Sequence, residues 1–324
     1  MLEAMFTALF AVVPVFLVIG LGVWLRSREV LPDNAGRVLG VYVLRVALPL
    51  LLLHLVAQAR PEDLAQGGFW LGVLGAQLLM FALAWGMDRL VWRRGRREAV
   101  IAGMNASVNN VGFVGLAIIM NLFPGNMEAL LVAGLTILGT NLVIGFSQGW
   151  LEWLGGTAGG GIRAFLYKFV LGNILILSAL VGAVLACSGL GLWEPLDRAV
   201  RMVGYTAAPC MLLSLGLDLR QKLETVRRQA AGQVIVRQTW LIGCKLILHP
   251  LLCWYLLWLL GVEGLWLSVS VLLSATAAAL VNALMAEVYD ADPAEAALTV
   301  VLSNALNMFS LSAFIWFFLY LGMI

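Results

Sequence analysis

Between residues 103 and 116 the chain reads Gly103-Met104-Asn105-Ala106-Ser107-Val108-Asn109-Asn110-Val111-Gly112-Phe113-Val114-Gly115-Leu116, within a stretch otherwise apolar enough to span a bilayer. An asparagine amide offers two N–H donors and an acceptor oxygen without the large desolvation cost of a buried charge, so it can hold an anion's oxygens or a cation. Glycine lets a helix break or another backbone approach closely. Asn105, Asn109, Asn110, Gly112 and Gly115 are therefore candidate solute contacts. The stretch 264–289 is a counterpart, with Ser274, Thr276 and Asn282 around an Ala-rich run. Asn141, Ser303, Asn304 and Asn307 add further polar groups, and Asn304 and Asn307, three apart, share a helix face. Membrane helices also use Asn, Ser and small residues simply to pack. Packing is the stronger reading for the isolated Asn141, and solute binding for the Asn105, Asn109, Asn110 cluster beside its glycines.

Arg45, His54, Lys245, His249 and Glu287 fall inside apolar segments. An ionisable group at that depth is costly unless it meets a partner, water or a ligand, so each is a functional candidate. Arg45 lies one helical turn before Pro49 and can equally snorkel to the interface. Lys245 lies deeper, five residues before Pro250, where a proline frees backbone carbonyls, and it joins the candidate solute contacts. Cys187, Cys210, Cys244 and Cys253 have no metal-ligand spacing and read as packing residues. No metal or cofactor is expected. There is no His-Glu-X-X-His pattern, no Gly-X-Ser-X-Gly elbow and no paired Asp on neighbouring helices, so an enzyme is not expected. Intramembrane carboxylates are sparse, which weakens proton coupling through Asp or Glu. Coupling to Na⁺ or H⁺, or uniport driven by membrane potential, stays open.

The elements that must carry these residues follow from composition. The chain has 324 residues, 62% hydrophobic and only 12% charged, with a mean hydropathy of +0.96; soluble domains carry about 25% charged residues. The lipid bilayer is its expected partner. A formal net charge of +2 gives no basis for a nucleic-acid partner. Since a membrane helix needs roughly 20 apolar residues, the sequence divides into ten segments near 5–25, 36–58, 68–92, 98–122, 128–151, 165–187, 195–217, 235–260, 264–289 and 294–321. Arg and Lys cluster in the odd-numbered connections, at Arg26 to Arg37, Arg93 to Arg97, Arg163 to Lys168 and Arg220 to Arg228. Basic short loops favour the cytoplasm, so both termini are expected outside it, in a multi-pass protein of the inner cell membrane.

The run Gly155 to Gly161 reads as a linker over 155–162, between a five-helix unit at 1–154 and another at 163–324. The halves echo one another. Leu31-Pro32-Asp33 corresponds to Glu194-Pro195-Leu196-Asp197, Ala47-Leu48-Pro49 to Ala207-Ala208-Pro209, and the Pro124 connection to the Pro293 connection. Five is odd, so a direct repeat in sequence inserts with opposite orientation, the inverted-repeat arrangement of secondary transporters.

With Asn109-Asn110-Val111-Gly112-Phe113-Val114-Gly115-Leu116, Ala207-Ala208-Pro209-Cys210-Met211, Lys245-Leu246-Ile247-Leu248-His249-Pro250 and Ala291-Asp292-Pro293 in place, the chain resembles the auxin efflux carriers of the bile acid/sodium symporter superfamily over essentially its whole length, and in particular bacterial malonate and malate permeases. The resemblance implies an all-α membrane protein of ten helices in two inverted five-helix repeats, with the fourth and ninth helices broken where they cross. It also implies transport of organic anions. The family usually carries a proline at each crossover, where this chain has Gly115-Leu116-Ala117 and Ser274-Ala275-Thr276-Ala277. The expected activity is alternating-access transport of a small mono- or dicarboxylate. The alternatives are a membrane-embedded solute sensor, disfavoured because no soluble signalling domain follows Ile324, and a Na⁺-coupled symporter of a larger organic anion. A homodimer is compatible with this reading.

Overall fold

The computed structural model describes residues 2–156, 172–227 and 232–324. Most of the Gly-rich linker and the basic residues Arg163 and Lys168 thus lie outside the described residues. Among those described, every regular element is helical, and the sole strand-like feature is an isolated antiparallel bridge between Asn109 and Ala278. Helix is what apolar sequence must form where no water can satisfy the backbone.

In chain order the principal helices are α1 (Leu2–Ser27), α2 (Ala35–Ala57), α3 (Gly67–Leu90), α4 (Arg96–Ser107), α5 (Val111–Leu122), α6 (Met127–Leu154) and α7 (Ile174–Ser188). They continue as α8 (Glu194–Gly204), α9 (Ala207–Arg227), α10 (Ile235–Leu259), α11 (Gly264–Ser274), α12 (Leu280–Val288) and α13 (Pro293–Tyr320). Their starts carry the expected signals. The side chain of Asn126 accepts a hydrogen bond from the Ala129 N–H at 3.0 Å, that of Asp292 from the Glu295 N–H at 3.3 Å, and Pro293 opens α13. Inside α2 and α10, π-helical turns at Val43–Ala47 and Cys244–Leu248 come just before Pro49 and Pro250. A proline has no N–H to donate and its ring crowds the carbonyl one turn back, so the ladder widens locally.

Six helical stretches among the described residues are long and apolar enough to cross a membrane: Ala35–Ala57, Pro61–Leu90, Met127–Leu154, Glu194–Asp218, Ile235–Leu259 and Pro293–Tyr320. The fourth and ninth expected segments fall short because each is two helices, α4 with α5 and α11 with α12. Both first halves end on a serine whose hydroxyl bonds back into its own helix, Ser107 to the Gly103 carbonyl at 2.8 Å and Ser274 to the Val271 carbonyl at 2.7 Å. The first break lies at Val108-Asn109-Asn110, not at Gly115-Leu116-Ala117. The Asn110 carbonyl already accepts from the N–H groups of Val114 and Gly115, both at 3.1 Å, so helix has resumed before Gly115.

The helices pack as two groups. In one, α1 and α9 lie together, with α2 against α7, α8 and α9. A side-chain carbon on Gly216 of α9 would stand 2.1 Å from the Ile19 carbonyl oxygen and 2.9 Å from the Gly22 Cα, so the α1 and α9 backbones touch through paired glycines. The other group brings α3, α4, α6, α10, α11 and α12 together, and α13 lies between the groups, packed on α1, α9 and α12. The α5 segment also packs on α9.

Candidate functional site

The two broken helices cross at their breaks. The Asn110 N–H donates to the Ala277 carbonyl at 2.9 Å, and the Ala279 N–H to the Val108 carbonyl at 3.2 Å. These are groups that a helix end leaves without an intrahelical partner, and here each break satisfies the other. Polar side chains complete the job. The Ser303 hydroxyl accepts from the Ala278 N–H at 3.2 Å, Asn304 Nδ2 donates to the Ala278 carbonyl at 3.2 Å, Asn307 Nδ2 to the Ala275 carbonyl at 2.8 Å and Asn282 Nδ2 to the Met104 carbonyl at 3.1 Å. Asn282, Asn304 and Asn307, singled out above as solute contacts, thus hold the breaks open against the tendency of the backbone to close into helix.

Lys245 enters from the π turn of α10. Its side chain is completely buried, and Nζ lies 2.7 Å from Asn109 Oδ1, 2.8 Å from the Ser274 carbonyl and 3.3 Å from His249 Nδ1. A lysine nitrogen can only donate to an amide oxygen, so it fixes which way the Asn109 amide faces. The outcome is a buried Asn109 Nδ2 with no partner. Asn110 is oriented by a relay. Asn304 Nδ2 is held by the Ala278 and Val300 carbonyls, which turns Asn304 Oδ1 toward Asn110 Nδ2 at 3.1 Å and leaves Asn110 Oδ1 without a partner. One free donor and one free acceptor therefore stand on adjacent residues at the crossing, with Asn109 3% and Asn110 1% exposed. The first N–H groups of α5, those of Val111, Gly112 and Phe113, have no intrahelical acceptor and carry the positive end of its dipole.

The remaining expected residues divide. Gly115 is a packing position, since a side-chain carbon there would come within 2.8 Å of Leu273 Cδ2 and 3.3 Å of Thr276 Cγ2. Thr276 bonds its hydroxyl to the Leu273 carbonyl at 2.7 Å. Gly112 is partly open and faces Leu48 of α2 at an ordinary 3.7 Å. Asn105 is buried in α4 with its Oδ1 unpartnered. Asn141 stands apart. Its Nδ2 donates to the Ile137 carbonyl at 2.9 Å, and it lines a separate cleft of about 380 Å³ with Leu44, Gln148, Glu152 and Asn173.

A family described as membrane transport protein matches residues 7–147 and 164–315. The chain belongs to that family. It is also 24% identical over 311 residues, 94% of each chain, to a protein described as "Putative malonate transporter" from Rhizobium meliloti (strain 1021).

Two polar clusters of this membrane transport protein escaped the sequence reading in whole or part. At one end of the helices Arg237 of α10 donates through Nε and Nη2 to both oxygens of Asp88 of α3, at 2.9 and 2.8 Å, and through Nη1 to Glu295 of α13. Arg94 also pairs with Glu295, and reaches Asp292 at 3.5 Å. Asp88 and Arg237 lie near the ends of apolar segments, and their opposite signs were the available signal. Toward the other end His54 of α2 shares a 2.6 Å hydrogen bond with Asp197 of α8, which also accepts from Gln58 Nε2 at 3.1 Å.

Proposed function

We propose that this protein is a secondary carrier that moves a small carboxylate across the membrane by alternating access, with ten spans arranged as two inverted five-helix halves, residues 1–154 and 163–324, joined by the stretch 155–162. The observation that carries the reading is the Asn109 Nδ2 donor, buried and unpartnered at the break, beside the first N–H groups of α5. A carboxylate oxygen accepts from such donors, and the helix N-terminus adds favourable potential. Asn110 Oδ1 supplies an acceptor on the next residue, suited to a hydroxyl, a protonated second carboxyl or a water carried with the solute. The name of the Rhizobium relative makes malonate the first solute to test.

The paired breaks support the inverted-repeat reading, since α4 and α11 have closely similar lengths, both end on a back-bonded serine, and the breaks that follow them pair in an antiparallel bridge. Connections of like parity also gather at one end. The start of α2 meets α9 where Ser214 Oγ donates to the Gly36 carbonyl, a few residues before the seventh expected segment ends, and the third and ninth connections meet through Arg94 and Asp292. Basic residues at that end favour the cytoplasm.

The test is counterflow of labelled malonate, and of other mono- and dicarboxylates, in liposomes containing the purified protein. A carrier accelerates exchange when unlabelled solute is loaded inside, and saturates. Flux that rises linearly with concentration indicates a channel, and binding without flux indicates a sensor; either result overturns the proposal.

A further inference from the structure

We infer that the Lys245 ammonium is a resident cation at the helix crossover, filling the place that a bound monovalent metal ion would take, so that the crossover forms and cycles without Na⁺. Cycling without Na⁺ rests on the carrier reading; the occupancy of the site does not.

Three observations converge. First, Lys245 is completely buried, and among the described residues no carboxylate lies within ion-pair distance of it. Burying a cation without a counter-charge is tolerable only where oriented dipoles replace its water. Second, neutral partners surround it. Asn109 Oδ1, the Ser274 carbonyl and His249 Nδ1 stand at 2.7, 2.8 and 3.3 Å, three positions for three ammonium hydrogens. Ser274 ends α11, so its carbonyl belongs to the negative end of that half-helix dipole. Third, the ligands come from the structures that have to be held together: Asn109 from the first break, Ser274 from the edge of the second, His249 from α10 itself. A set of neutral dipoles converging from separate elements on one point is the chemistry of a monovalent cation site. Here the cation is tethered by a four-carbon chain and cannot be exchanged during transport.

The consequence concerns the driving ion. A carrier whose crossover is completed by bound Na⁺ gains stability and turnover with Na⁺, because an ion that binds the native state raises its apparent stability. With the position already filled, wild-type protein is indifferent to Na⁺. Shortening the side chain to alanine leaves the three acceptors converging on a space where Na⁺ or a small alkylammonium ion fits. Lys245 is then a positioning residue for Asn109, not a group that contacts the solute.

The experiment compares thermal unfolding of the purified full chain in NaCl and in choline chloride at equal ionic strength, without solute, for wild type, Lys245→Ala and Lys245→Met. Ethylammonium chloride forms a third condition. Wild type is expected to unfold at the same temperature in all three. Lys245→Ala is expected to unfold earlier in choline and to recover, saturably, with ethylammonium or Na⁺. Lys245→Met, which fills the space without charge, is expected not to respond. A saturable rise of wild-type unfolding temperature with Na⁺ overturns the inference, and so does a folded Lys245→Ala protein that no small cation stabilises. If Lys245→Ala cannot be purified folded, the wild-type comparison decides alone. Because no solute is present, these results are independent of counterflow. Failure of malonate exchange with the expected unfolding pattern would remove the carrier reading and keep the tethered cation.

Discussion

At the scale of single residues, Asn109 differs from the other amides at the crossing in what its neighbours leave it. Asn282, Asn304 and Asn307 each use Nδ2 on a backbone carbonyl, whereas Asn109 is turned by Lys245 so that its Nδ2 has no acceptor. Loss of a hydrogen bond to a charged ligand group costs about 1.5–3 kcal/mol, roughly ten- to a hundredfold in affinity. Asn109→Ala and Asn110→Ala are expected to weaken carboxylate binding by that factor, measured by titration on folded protein, while Asn121→Ala in α5, beyond the crossing, leaves it unchanged. Asn307→Ala is expected to act through the fold alone. It strips the Ala275 carbonyl of its donor and lowers thermal stability along with binding. Asn109→Ala also takes one acceptor from the buried Lys245 and is expected to lose some stability as well, so an unchanged carboxylate affinity in the folded variant is the result that would assign Asn109 to a structural role alone.

At the scale of elements, helix contacts are set by where glycine permits approach and where charges must be paired. The α1 and α9 backbones touch at Gly22 and Gly216, with no room for a side-chain carbon and with rigid backbone as the obstacle. Gly216→Ala is expected to force the helices apart and to destabilise by about 1–3 kcal/mol, as overpacking does. Gly112→Ala meets only Leu48 Cδ2 at 3.7 Å and is expected to leave stability unchanged. Melting curves of the two variants side by side separate these outcomes. Arg237 joins α3, α10 and α13 through Asp88 and Glu295, and Asp88 is fully buried. Arg237→Met leaves that carboxylate without its partner, a change expected to cost about 3–5 kcal/mol. Adding Asp88→Asn removes the stranded charge and is expected to restore much of the loss. A double variant as unstable as the single one would show that packing of the guanidinium, not charge, governs the site.

At the scale of the whole molecule, the proposed orientation places the third connection in the cytoplasm and the second outside. Single cysteines at Arg93 and Glu62, both exposed, in a background lacking the exposed Cys187, test this with an impermeant thiol reagent on intact cells. Glu62→Cys is expected to be labelled and Arg93→Cys protected until the membrane is opened. The reverse pattern would invert the protein.

Much of this protein is legible in its residues taken in order. A chain this apolar and this poor in charge partitions into a bilayer, and helix is the way its backbone can be satisfied there. The amides of the fourth segment, the serine of the ninth and Lys245 are visible as polar groups at depths where polarity is costly. Which atom of each amide stays free is not visible, because it depends on partners far away in sequence. Lys245 is 136 residues from Asn109, and Asn304 is 194 residues from Asn110. The position of the first break also escaped, since Val108-Asn109-Asn110 could continue a helix as readily as Gly115-Leu116-Ala117 could end one. What decides it is the reciprocal pairing of Asn110 with Ala277 and of Ala279 with Val108, which repays each helix for the bonds it gives up. Asp88 and Arg237 are not legible as a pair for the same reason: alone each is a charge near a segment end, and only tertiary packing, across 149 residues, makes them a buried pair. Local sequence sets the solvent and the secondary structure, while the assignment of every unsatisfied donor and acceptor to its partner is a property of the assembled fold.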